Sequence, residues 1–416
     1  MASSSPGGDS SEPRPPASLS ARGARAAGSP LRIDHDAFRQ AAANRYDAVH
    51  NPDGALPLNI AENRLGWPDL KAKIEEVSRA EDVPDWVSKY ASHRGSLAFR
   101  SHAASFLSEH LTRAPVDPDH ICVSAGATGV IEMTAFLLAD PGDVAVIPAP
   151  CYPVYSKDIG NMAGVERYDL VTHHDLAEVA AGPILDVEHL ERARAEIEAG
   201  GRRFRMLILT APDNPTGAIY SEAMLERFAE WCIANEVHLV VNEIYGLSLI
   251  DTDHPALRED YEDPEPFTSF GKVMDRHRSE WLHLIYALSK DLGISGFRTG
   301  LVYTHNGAFV RGYENLNLTH TVSNHTQWLL GQILADRTFM TGYVERNQAR
   351  LTEAYVVVVE AMRRMGMPYV PSRGSLFCWV DLSSLLTEES EEGEAECRPT
   401  DGGAEYESGY RGDGGD

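Results

Sequence analysis

Residues 286–300 read Tyr286-Ala287-Leu288-Ser289-Lys290-Asp291-Leu292-Gly293-Ile294-Ser295-Gly296-Phe297-Arg298-Thr299-Gly300. An apolar run over residues 282–288 delivers Lys290 to a glycine-punctuated loop, and Arg298 follows eight residues later. A lysine held in an apolar pocket loses its proton near neutral pH and becomes a nucleophile. An arginine beyond it grips an oxyanion bidentately, which a second lysine cannot do. Taken alone, the pattern S-K-x-x-G with a downstream arginine also describes many surface loops. The surrounding chain has to separate the two readings.

Upstream, apolar strands alternate with helical patterns from residue 123 onward. Residues 144–147 read as a short buried strand ending at Pro148, and residues 206–210, 237–241 and 282–288 as further strands. Residues 129–138 and 221–235 have helical period. This alternation predicts an α/β layer structure with a largely parallel sheet. The helical stretch at 326–365 is expected to cross into a smaller domain, where residues 374–382 supply a strand. Residues 1–31 are rich in Ser, Pro, Gly, Ala and Arg and bury too little to offset their ordering entropy, so they are expected to be disordered. Residues 388–416 carry eleven acids against two arginines and no apolar period, and are expected to be a disordered acidic tail. The expected organisation is 32–85 as an N-terminal arm with part of the small domain, 86–325 as the large domain, and 326–387 as a truncated remainder of the small domain.

The chain has 416 residues and a net charge of −25, of which the acidic tail supplies a substantial share. Such an exterior disfavours nucleic-acid backbones and anionic membranes. No run of eighteen apolar residues exists to span a bilayer. The five scattered cysteines form no C-x-x-C pair and read as reduced thiols in a cytoplasmic protein. His173-His174 lacks metal-ligand spacing, so no metal is expected.

Four further motifs fall at the carboxyl ends of strands, where open α/β sheets bind ligands. Gly126, Ala127 and Thr128 open a helix, so their amides and the Thr128 hydroxyl suit a phosphate, though a generic tight turn has the same composition. Tyr152, between Pro150 and Pro153, is placed to stack on a flat ring or to fill a core. Asn214 lies in Ala211-Pro212-Asp213-Asn214-Pro215-Thr216-Gly217, which also reads as a plain turn. Val241-Asn242-Glu243-Ile244-Tyr245 ends another strand. A Schiff-base amine, a phosphate grip and a ring-stacking aromatic together meet the needs of pyridoxal 5′-phosphate (PLP), the expected cofactor.

In this chain order the motifs resemble those of the class I/II aminotransferase family of fold-type I PLP-dependent enzymes, over roughly residues 50–385. Leu58-Asn59-Ile60-Ala61-Glu62-Asn63-Arg64-Leu65 is similar to the L-A-E-N-Q-L of 1-aminocyclopropane-1-carboxylate (ACC) synthase-like proteins. Residues 289–300 are similar to their S-K-D-M-G-L-P-G-F-R-V-G, and residues 374–381 fit as well. The resemblance implies a large domain with a mostly parallel mixed sheet, a smaller α/β domain, and a homodimer. It implies that Lys290 forms the Schiff base and then serves as general base. Arg298, Ser289, Gly126, Ala127 and Thr128 would hold the phosphate, Tyr152 would stack, and Asn214 and Tyr245 would bond the phenolic oxygen. Tyr90 would reach the neighbouring subunit's phosphate, with His93 as the competing candidate, and Glu62 would face the substrate. The implied substrate is an amino acid or S-adenosylmethionine.

Two departures stand out. Asn242 occupies the position of the family's aspartate, whose charge keeps the pyridine nitrogen protonated. The alternative is that another acid, such as Glu243 after a local register shift, takes the role; against it, Glu243 should point to the opposite face of the strand. The family's substrate-carboxylate arginine, in a P-G-W-F-R-like segment, has no counterpart after Trp379, which is expected to mark a truncated, frameshifted or mis-spliced end. Both departures favour the alternative of a catalytically impaired PLP-binding homologue with a regulatory or binding role, whereas Lys290, Arg298, Asn214 and Tyr245 favour an enzyme.

Overall fold

The computed structural model describes residues 18–28, 34–173 and 175–383. The chain forms two compact units, residues 1–60 and residues 61–416. In the first, helices Ala21–Gly28 and His35–Ala43 are joined to short bridges, Arg45 with Ala55 and Asp47 with Asn51. Within residues 1–31, Ala21–Gly28 is helical, an Ala- and Arg-rich sequence of high intrinsic helix propensity none of whose residues is buried. Residues 1–17, 29–33 and the acidic tail lie outside the described residues, and so does His174.

The second unit is built on one seven-stranded sheet. Its strands are β1 (Ile121–Ser124), β2 (Val144–Ala149), β3 (Glu166–Val171), β4 (Phe204–Thr210), β5 (His238–Asn242), β6 (Leu282–Ala287) and β7 (Gly300–Thr304). The order across the sheet is β1-β7-β6-β5-β4-β2-β3, and only the two pairings of β7 are antiparallel. Strands β5 and β6 are buried at every position, as strands covered on both faces must be. Alternate residues divide between two cores. Val241 packs with Phe270 and Leu284 on one face; Val240 packs with Ile208, Ile285 and Tyr155 on the other.

Side-chain caps set several of the helix starts. Ser221, read from the sequence as the first helical residue, is instead the N-cap of helix Glu222–Ala234 and accepts the Met224 N–H. Strand β2 runs two residues beyond its expected end, because its parallel register with β3 also pairs Pro148 with Leu170 and Ala149 with Val171. The expected strand over residues 374–382 shrinks to Trp379–Val380, paired antiparallel with Tyr369–Val370. Ser375 has φ of 73°, a left-handed backbone that breaks the extension. Among the described residues no helix is long and apolar enough to cross a membrane.

Candidate functional site

Lys290 sits in the short helix Leu288–Asp291 directly after β6. Its Nζ donates to the Ala61 carbonyl at 2.6 Å. Burial lowers its pKa from the ordinary lysine value, the Glu62 carboxylate opposes that fall, and the Arg298 guanidinium adds to it. The adjoining turn is fastened by Asp291, which the sequence reading passed over. Its buried carboxyl accepts from the Leu247 amide at 2.9 Å, the Ser248 hydroxyl at 2.6 Å and the Tyr286 hydroxyl at 3.0 Å. Burial pushes that carboxyl up to about 7. Ser289, beside Lys290, is buried. Glu62 is exposed at 46 % and paired with Arg64 at 2.8 Å.

Arg298 and the start of helix Gly126–Leu138 meet closely. Arg298 Nη2 donates to the Ala125 carbonyl at 3.2 Å, and Nη1 to Ser295 O at 3.0 Å. Gly126 has φ of +82°, and a Cβ there would stand 2.5 Å from Arg298 Nη2. A Cβ on Gly300 would stand 2.7 Å from the Gly126 carbonyl carbon and 2.9 Å from the Ala127 nitrogen. Only glycine permits this approach of a guanidinium to a helix N-terminus, a combination that suits a phosphate.

The ends of β2, β4 and β5 bring the remaining polar groups. Tyr152 is half-buried and meets Tyr155 edge-on, ring centroids 5.3 Å apart. Asn214 is buried, and its side chain hydrogen-bonds the Tyr245 hydroxyl. Tyr245 packs with Ile244 and Ala287 and against Ala127, Leu376 and Phe377, and burial pushes its phenol well up. Asn242, only 5 % exposed, donates through Nδ2 to Tyr155 Oη at 3.0 Å. Glu243 faces the opposite core, as the two-residue period of a strand requires. Its carboxyl accepts from Ser269 Oγ at 2.6 Å and the Phe270 amide at 2.5 Å, and burial raises it to about 8.

Two residues lie apart from this cluster's hydrogen bonds. Tyr90 is 97 % exposed. His93 is half-buried, with Nδ1 3.2 Å from the Glu314 carbonyl. Among the described residues, the ligand atoms of Glu226, Glu230 and His277 also lie close enough to share an ion. Arg276 already pairs with the Glu226 carboxylate there.

The profile of the family described as aminotransferase class I and II matches residues 53–395. The chain is 31 % identical over 370 residues to 1-aminocyclopropane-1-carboxylate synthase 7 of Arabidopsis thaliana, covering 84 % of this chain and 78 % of that protein. It is 33 % identical over 352 residues to 1-aminocyclopropane-1-carboxylate synthase 5 of Oryza sativa subsp. japonica, covering 82 % of this chain and 63 % of that protein. Its fold is similar to that of aspartate aminotransferase from Thermus thermophilus with maleate, at a TM-score of 0.63 and 20 % identity over 81 % of this chain and 78 % of that one.

Proposed function

Since the chain belongs to the class I and II aminotransferase family, whose cofactor is pyridoxal 5′-phosphate, we propose that it is an enzyme acting at the α-carbon of an amino acid, of the ACC synthase-like type. The observation that carries this reading is the half-buried, pKa-lowered Lys290 amine set between Glu62 and the Arg298–Gly126 cradle. The residues fit the cofactor: a Cβ at Gly126 would fill the cradle, and an amine with a lowered pKa is the donor its aldehyde needs.

Lys290 would hold the aldehyde carbon, and Arg298, Ser289 and the amides of Gly126, Ala127 and Thr128 would hold the phosphate. Tyr152 would cover the ring, and Asn214 and Tyr245 would bond its phenolic oxygen. The bound cofactor supplies an electron sink that acidifies the substrate's α-C–H. Lys290 Nζ takes that proton as general base. With S-adenosylmethionine, the α-carbon then forms a bond to the γ-carbon, the γ-carbon–sulfur bond breaks, and its electron pair leaves with methylthioadenosine. Glu62 faces the leaving-group side. In a homodimer the exposed Tyr90 would reach the phosphate of the second copy.

Two other outcomes compete. In the transamination reading Lys290 would deliver the proton elsewhere than the α-carbon, water would release the keto acid, and the amino group would stay with the cofactor. In the impaired-homologue reading, favoured by the neutral Asn242 where a charged partner assists the sink, cofactor binds without turnover. The test is to add S-adenosylmethionine, and then common amino acids, to the PLP-loaded protein. Absorption and products are followed together. ACC with methylthioadenosine supports the proposal, a keto acid replaces it with transamination, and a bound cofactor with no response to any substrate leaves the impaired homologue.

A further inference from the structure

Strands β4 and β5 end side by side, with Thr210 in register with Asn242. Tyr155 comes up to them from the start of helix Tyr155–Gly160 and is fully buried. Three contacts link the group. The Ile244 amide is 3.3 Å from Asn242 Oδ1, Asn242 Nδ2 is 3.0 Å from Tyr155 Oη, and Tyr155 Oη is 2.8 Å from Thr210 Oγ1.

The direction of the two Asn242 bonds follows from chemistry. A backbone N–H only donates, so the Asn242 atom facing Ile244 is the oxygen, and the amide's flip is settled. Nδ2 therefore faces Tyr155 and donates to it. Tyr155 Oη, having accepted from Nδ2, shares one further hydrogen bond with Thr210 Oγ1, in which either hydroxyl can donate. Burial pushes the Tyr155 phenol well up, so it keeps its proton. Every member of this chain of bonds is neutral. Of the titratable groups that bear on Tyr155, Asp158 is itself raised to about 7 by burial and Cys151 is raised also.

We infer that Tyr155 and Thr210 are positioning residues that lock the Asn242 amide with its second Nδ2–H as a donor, so that the cofactor's ring nitrogen is held as an unprotonated acceptor. The inference rests on the cofactor reading above. With Oδ1 turned to the Ile244 amide and Nδ2 turned to the Tyr155 side, the amide presents an N–H, not an oxygen lone pair, to the ring nitrogen. A ring nitrogen without a proton draws less negative charge away from the substrate's α-carbon. The site then favours reactions in which the α-carbon itself attacks, such as internal displacement of a γ-leaving group, over those that protonate the cofactor.

The test is nitrogen NMR of the holoprotein loaded with PLP labelled with ¹⁵N in the ring. The wild-type signal is expected in the unprotonated pyridine range, shifted part-way upfield by the Asn242 hydrogen bond. Asn242→Asp is expected to move it into the pyridinium range. Tyr155→Phe and Thr210→Val are expected to leave the cofactor bound and its nitrogen unprotonated, and to move the signal downfield toward free pyridine. A pyridinium signal in the wild type overturns the inference and leaves the cofactor reading intact. A signal unmoved in both Tyr155→Phe and Thr210→Val overturns the positioning role. No bound-cofactor signal at all overturns the cofactor reading and the inference with it.

Discussion

Asn242 and Glu243 are neighbours at the end of one strand, yet their surroundings have opposite character. On the Asn242 face, the partners are a phenol, a hydroxyl and a backbone amide, and no charge enters the network. On the Glu243 face, an acid is present but committed. It accepts from Ser269 and the Phe270 amide at the start of helix Phe270–His277. Asp291 lies on its side as well and raises it further, behind the larger effect of burial. A register shift that brought Glu243 around would flip every side chain of β5 and strand those donors. The strand end therefore carries an acid committed to the fold beside an amide assigned to the proposed site, and the two cannot trade places.

The largest test of this contrast puts charge on the neutral face. Asn242→Asp restores a carboxylate toward the ring nitrogen. Conversion of amino acid and cofactor to keto acid and aminated cofactor should then rise by about 10²–10³-fold, the range of one preorganised catalytic group. Single-turnover absorbance measures it, and an unchanged rate would break the contrast.

On the opposite face the signature is pH-dependent stability. Glu243 is raised from 4.5 to about 8 and Asp291 from 3.8 to about 7 in the folded state. Between those limits the unfolded chain ionises while the folded chain stays protonated. Their stabilising effect is complete below the unfolded values and is lost as pH rises through the folded ones. Glu243→Gln should remove one proton's share of that decline, at most about 1.4 kcal/mol per pH unit. Urea unfolding of the cofactor-free protein from pH 5 to pH 8 reads this slope directly.

Smaller effects sharpen the comparison. Tyr155→Phe leaves Asn242 Nδ2 and Thr210 Oγ1 without their shared partner and should cost about 1–3 kcal/mol. Ser269→Ala removes both an N-cap and a donor to Glu243, for about 1 kcal/mol. The same unfolding series measures both, and the Ser269→Ala loss should fall disproportionately on helix Phe270–His277 in hydrogen exchange.

Much of this was legible in the sequence, and the reasons are local. Lys290, Arg298 and Gly126 declare themselves by their place between a strand and a helix or loop. The turn of Glu243 toward the opposite core follows from the period of a strand. Tyr155 and Thr210 were missed because their connection to Asn242 spans 87 and 32 residues of chain and exists only once β4, β5 and the helix after β2 are assembled. The one cue was the three-residue spacing of Tyr152 and Tyr155, which sends both from one short segment toward the sheet. Asp291 stood beside Lys290 in plain view, but burial and three donors, not its letter, give it a role. The misjudged end of β2 has the same origin. Proline normally closes a strand, and only the register with β3 shows that it continues here.

The account stands on Lys290 as the cofactor's anchor. Incubating the full chain with PLP, reducing with borohydride and mapping the peptides by mass spectrometry tests that claim most directly. A pyridoxyl group on Lys290, lost in Lys290→Ala, is the expected result. An adduct confined to other lysines, or none at all, would contradict it.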